Sequence, residues 1–182
     1  ISTSLDALSH AMEGIWNINA NPATTSMAVT AAREVINVLP ALADDLDNLG
    51  LRMRMSRAAL IAGISVSNTR TALAHSLSYA ITLEHGIPHG IACSFTLPDL
   101  IRCVSGFDAD CDAGLKQIFG PDLAIGADEL TRMLKKLGVQ TRAQDFGVTP
   151  DKWREMVKFA LEGERGRNFI GDREVIWKTL AA

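Results

Sequence analysis

Cysteine and aromatic side chains are scarce in this chain. Its three cysteines, Cys93, Cys103 and Cys111, are odd in number and form no Cys-x-x-Cys pair, so reduced thiols are expected rather than a disulfide framework. Aromatic residues make up 5% of the sequence, and acidic residues outnumber basic ones, 21 to 18, for a net charge of −3. A basic stripe with interleaved aromatics is missing, which leaves nucleic-acid binding without support. Apolar runs fall short of the ~20 residues that a membrane helix needs, and no basic-then-apolar leader opens the chain; a soluble cytoplasmic protein is the expectation. No Gly-rich phosphate loop follows a strand, so no dinucleotide-binding fold is expected within this sequence. Nor is there a repeat of 20–50 residues. The chain opens on Ile1 rather than Met and reads as an excised or processed part of a longer protein.

What is present is helix-forming. Apolar residues account for 47% of the 182 residues, enough for one domain with a real core. Their spacing predicts helix almost throughout, in an all-α multi-helix bundle. Leu5, Leu8, Met12, Ile15 and Trp16 form a first stripe, with Asp6, His10 and Glu13 on an adjoining face. Residues 17–22 read as a turn in which Asn21 caps and Pro22 starts the next helix. That helix is expected over 23–39, stopped by Pro40, and an acidic loop follows over 44–48. A third helix, 51–68, is expected to be buried on most sides, and a fourth covers 71–83. Ile87-Pro88 breaks the chain and presets a fifth helix beginning near His89. Further helices are expected over 108–119 and 127–137, the latter ended by Gly138. Thr149-Pro150-Asp151 starts another that runs to about Leu161. Residues 162–173 read as a loop before a short last helix.

Four side chains in this scaffold can ligate a metal: Asp6, His10, His75 and His89. Asp6 and His10 are four residues apart, one turn of helix on a common face. His89 is expected at a helix N-terminus, where the dipole favours a neutral imidazole over a cation. Three imidazoles and one carboxylate suit a catalytic divalent metal with an open position. The alternative on residues alone is a helix bundle with unrelated histidines: Asp-x-x-x-His pairs are common on solvated faces, and His75, among Ala and Leu, can be a satisfied core residue.

Leu5-Asp6-Ala7-Leu8-Ser9-His10-Ala11-Met12-Glu13, then Ala74-His75, then Pro88-His89-Gly90, closely resemble the iron-containing (group III) alcohol dehydrogenases. The stretches from Leu134 to Val139 and from Asp145 to Thr149 are also similar to that family. The resemblance covers nearly the whole chain but only the helical C-terminal half of such an enzyme, with a dehydroquinate synthase-like helical fold; the N-terminal nucleotide-binding domain has no counterpart here. It implies Asp6, His10, His75 and His89 as ligands of Fe2+ or Zn2+. It also implies a small alcohol or aldehyde as substrate, NAD(P)H bound mainly by the other domain, and a homo-oligomer. Many members carry a histidine, discussed as a proton relay, four residues after the third ligand; here that position is Tyr79, which can take over a relay or pack against the cofactor. His85 matches no ligand position and is expected at the surface.

Residues 9–22 and 68–79 are similar to the phosphonoacetaldehyde reductase and hydroxyethylphosphonate dehydrogenase-like branch. That resemblance singles out Arg70 as a guanidinium that grips a phosphonate, or else an interhelical arginine. Asn17 and Trp16 are candidates to line the same cleft, with core packing the stronger expectation for Trp16. Two other functions compete: a non-catalytic helical interaction domain retaining ancestral ligands, and a metal-dependent phosphohydrolase. The latter is disfavoured because no His-Asp dipeptide occurs and Glu84 is the only second carboxylate near His75 or His89.

Overall fold

Leu5, Leu8, Met12 and Ile15 are sealed from solvent, and that stripe winds α1 (Ser2–Ile15) onto two long helices, α2 (Pro22–Asp44) and α3 (Leu49–Thr69). The computed structural model describes residues 1–181 and shows helices and turns alone among them, apart from one isolated bridge between Asn17 and Phe169. Asn21 caps α2 as expected: its side chain accepts from the Ala23 and Thr24 amides, and Thr24 bonds back to the Asn21 amide. Reciprocal capping of this kind satisfies amides the helix cannot pair internally.

Two expectations about these helices are corrected. α2 does not stop at Pro40 but runs to Asp44. Leu42, beyond the proline, is buried, so the apolar stripe carries the helix through the missing amide. α3 is not buried on most sides: Leu49 is 78% exposed, Met53 74% and Leu60 65%, while Met55, Ala58, Ala62, Ser65 and Thr69 form its narrow buried edge. Its apolar residues are spread round the helix among Arg52, Arg54 and Arg57, so its composition does not reveal which face the fold uses.

α4 (Leu73–His85) and α5 (His89–Ser94) pack on each other and against α1. His89 is the first residue of its helix, as expected. The second half comprises α6 (Leu97–Val104), α7 (Ala109–Phe119), α8 (Leu123–Lys136), α9 (Pro150–Glu162), α10 (Glu164–Arg167) and α11 (Arg173–Leu180), with a 3₁₀ turn at Ala143–Phe146. α8 starts four residues before the expected 127 because Asp122 caps the Ala124 and Ile125 amides. The expected loop over 162–173 contains α10.

Three asparagines fix the turn that leads into α4. Asn19 donates its side-chain amide to the Thr69 carbonyl (3.2 Å), Asn17 to Arg70 (3.0 Å) and Asn168 to Thr71 (2.9 Å). Arg70 between them has φ 66° and ψ 170°, a region that is essentially glycine's alone and costs about 1–3 kcal/mol elsewhere. The clamp on three consecutive carbonyls holds that conformation. It points the chain from the end of α3 into α4, the helix that carries His75.

The approach of α5 to α1 depends on Gly90. Its amide donates to Ser2 Oγ (3.2 Å), and a Cβ there would run into the Ser2 carbonyl and the Asp6 amide. Gly90→Ala is therefore expected to destabilise the domain by about 1–3 kcal/mol, the usual size of an overpacking strain, and to lower metal uptake with it. Thermal melting beside metal analysis checks this; unchanged values for both would show that α5 can move off α1 freely.

Candidate metal centre

Glu13 is the residue from which the site is built. It is 0% exposed and sits on α1, seven residues beyond Asp6 and three beyond His10, on the same side of the helix. Its carboxylate accepts from the Ala72 amide (2.8 Å), the His75 amide (3.1 Å) and His75 Nδ1 (2.7 Å). Ala72, the N-cap of α4, has no capping side chain of its own, so a carboxylate from another helix does that work. A negative charge at a helix N-terminus is also favoured by the helix dipole. With Nδ1 bonded to Glu13, Nε2 is the ring atom left turned towards Asp6, and it carries the proton that a metal would displace.

Asp6 Oδ1 is the point of convergence. His75 Nε2 lies 3.3 Å from it, His89 Nε2 3.8 Å and His10 Nε2 3.9 Å. The His10 ring stacks on His75 at 4.6 Å and 8°, and the His89 ring meets His75 edge-on at 5.5 Å. All four side chains expected as ligands thus come from three helices to one place. Donor atoms of Asp6, His75, His89 and Cys93, a turn after His89 on α5, all lie within 4.8 Å of one another; His10 stands outside that set, its ring stacked on His75.

The electrostatics favour a cation here. Burial opposes a charge on His75, but hydrogen bonds with Asp6, Cys93 and Glu13, and the Glu13 charge, outweigh it and raise the imidazole to about 12. Burial likewise works against the Asp6 carboxylate, yet the His75 hydrogen bond and the three neighbouring histidines hold it below the usual range. His10 is pushed down by burial and then by His75, which keeps it neutral as a ligand must be. Cys93 is raised by burial. Borderline nitrogen donors with one carboxylate suit Fe2+ or Zn2+, and the donors present therefore fit a divalent metal.

Residues 1–170 match the family profile described as Fe-containing alcohol dehydrogenase family, C-terminal. The chain belongs to the iron-containing alcohol dehydrogenase family. It is 27% identical to the 1,3-propanediol dehydrogenase of Citrobacter freundii over 99% of this chain and 48% of that one. Over a shorter stretch, 54% of this chain and 25% of the relative, it is 33% identical to the phosphonoacetaldehyde reductase of Streptomyces viridochromogenes. The fold superimposes on the sulfoacetaldehyde reductase of Bifidobacterium kashiwanohense, solved with NAD+, at a TM-score of 0.88 and 27% identity, covering 100% of this chain and 50% of that one. The chain spans about half the length of relatives such as these.

The other expected residues are placed differently from one another. Tyr79, one turn after His75 on α4, is 40% exposed with its ring 6.0 Å from His89, at the edge of a cleft of about 560 Å³. Asn17 is buried, its amide donating to the Arg70 carbonyl while its oxygen accepts from the Asn19 amide. Arg70 is exposed and paired with Glu164 at 3.0 Å. Trp16 packs in the core, edge-on to Phe169 at 6.1 Å. His85 is half-buried at the end of α4 rather than at the open surface, and Glu84 faces Lys152 at 3.7 Å. The sequence reading gave no role to Glu13 or Cys93. The available signals were register: Glu13 shares the face of Asp6 and His10, and Cys93 follows His89 by one turn.

Glu13→Gln keeps the shape and removes the charge-assisted bond to His75 Nδ1. It is expected to weaken Zn2+ affinity about 10- to 100-fold, as loss of a histidine's outer partner typically does. Chelator competition measures it, with circular dichroism confirming the fold. Wild-type affinity would confine Glu13 to capping α4.

Proposed function

We propose that this chain is the metal-bearing catalytic half of an NAD(P)-dependent alcohol dehydrogenase that acts as a reductase of small aldehydes, with phosphonoacetaldehyde and like anionic aldehydes as the favoured class. The convergence of His10, His75 and His89 on Asp6 Oδ1 carries the reading. When bound, Fe2+ or Zn2+ supplies a Lewis acid for the substrate oxygen. A nicotinamide, held mainly by a nucleotide-binding half, would supply or take up the hydride at the substrate carbon.

This chain's residues do the rest. Glu13 holds His75 in one orientation, so its Nε2 needs only to give up its proton to serve as a ligand. Buried Cys93 and His75 close the floor of the site against water. Tyr79, at the cleft edge beside His89, holds the proton that the aldehyde oxygen takes up. Names of relatives support the substrate class: two of them are reductases of phosphonoacetaldehyde and sulfoacetaldehyde. The exposed apolar residues of α3 support a homo-oligomer, in which they would be covered.

The test uses the full-length chain loaded with Fe2+ or Zn2+, following NADH or NADPH consumption with phosphonoacetaldehyde and with propanal. Metal-dependent oxidation of the cofactor is expected, and none with the chelated protein. Tyr79→Phe is expected to lower kcat about 100-fold at full metal content. No metal-dependent reduction of either aldehyde would contradict the reading, and an unchanged kcat in Tyr79→Phe would make that ring a packing element.

A further inference from the structure

One guanidinium, that of Arg165, stacks on Tyr79, the ring beside His89. Its Cζ lies 4.9 Å from the Tyr79 ring centre, and the centre of the same ring is 6.0 Å from that of His89. Arg165 Nε donates to Thr71 Oγ1 at 3.0 Å. Thr71 belongs to the asparagine-clamped turn, its carbonyl held by Asn168, so the arginine is anchored at Nε on a fixed support. Its two terminal amino groups are not used by that bond. Among the described residues Arg165 has no carboxylate within ion-pair distance. The acids around it are engaged elsewhere: Glu164 with Arg70 at 3.0 Å, Glu84 and Glu155 with Lys152 at 3.7 and 3.4 Å. Glu162, the remaining acid on the cleft wall, is exposed to water.

Arg70 offers a contrasting picture. Its guanidinium is exposed, as that of Arg165 is, but it is already neutralised by Glu164, and its backbone is what the fold uses. An arginine that must break an ion pair before meeting substrate recognises an anion less well than one held ready.

We propose that Arg165, rather than Arg70, is the specificity-determining residue of the site: its free terminal amino groups bind the oxyanion tail, phosphonate or sulfonate, of a short aldehyde whose carbonyl lies at the His75 and His89 end. Tyr79, whose ring neighbours both Arg165 and His89, flanks the substrate. The planar fork suits a tetrahedral oxyanion, which accepts two parallel N–H bonds. The proposal rests on the aldehyde-reductase reading and adds which end of the cleft takes the anion.

The experiment compares the full-length wild-type enzyme with Arg165→Ala, Arg165→Lys and Arg70→Ala. KM and kcat are measured for phosphonoacetaldehyde and for propanal, and binding of 2-hydroxyethylphosphonate to the metal-loaded protein is measured by calorimetry. Arg165→Ala is expected to raise KM for phosphonoacetaldehyde and Kd for 2-hydroxyethylphosphonate about 10- to 100-fold, the worth of charge-assisted hydrogen bonds. Propanal kinetics should stay within about twofold, and Arg165→Lys should recover part of the loss through its remaining charge. Equal losses for both aldehydes, an unchanged phosphonate preference, or a preference lost in Arg70→Ala instead would overturn the proposal, as would wild-type protein that does not bind the phosphonate. If no aldehyde is turned over while Arg165-dependent phosphonate binding persists, the reductase reading fails and the anion subsite stands.

Discussion

A carboxylate without access to water, Glu13, accepts three N–H groups from the start of α4, one of them the His75 ring. Burying such a charge is costly unless hydrogen bonds and an opposite charge compensate it. Here the compensation comes from the helix N-terminus and from an imidazole, so a single group ties the position of α4 to the orientation of a ligand. Asp6 and His10 are on the same helix as Glu13, and one face of α1 therefore supplies two candidate ligands and the support of a third. His89 reaches this face because Gly90 lets α5 lie directly on the first turn of α1. The site is a consequence of how α1, α4 and α5 meet, and it cannot shift without breaking one of those contacts.

The turn before α4 is the second constraint. Arg70 is held in a conformation that ordinary residues avoid, and the carbonyls of Thr69, Arg70 and Thr71 are each bonded by an asparagine from outside the turn. Asn168 comes from the segment after α10, so the clamp links the metal-bearing helices to the far end of the chain. α10, just before it, presents Arg165 to Tyr79. Cleft and metal centre share a support, and the strain at Arg70 sits beside the site it helps to shape.

Much of this was legible before any coordinates. Proline and asparagine signals located the starts of α2, α5 and α9, because capping is local chemistry written in adjacent residues. The four candidate ligands were read from spacing and from resemblance to the family. What was not legible depends on distant contacts. Pro40 stops no helix because Leu42 still finds the core, and the exposed face of α3 carries Leu49, Met53 and Leu60 while its buried edge is mostly small residues. Asn17 was read as a cleft residue because of its nearness to His10, whereas its partner, the Arg70 carbonyl, is 53 residues away in sequence. Glu13 was visible as a polar residue on the right face, but that it is buried and paired with His75 follows from the packing of α4, which periodicity does not encode.

The central claim is that Asp6, His10, His75 and His89, oriented through Glu13, hold one divalent metal. Elemental analysis of protein purified without chelators, beside His75→Ala, tests it most directly. About one equivalent of iron or zinc per chain, lost in the variant while the fold persists by circular dichroism, is the predicted result. Wild-type protein that carries no metal and takes up neither Fe2+ under anaerobic conditions nor Zn2+ would contradict it.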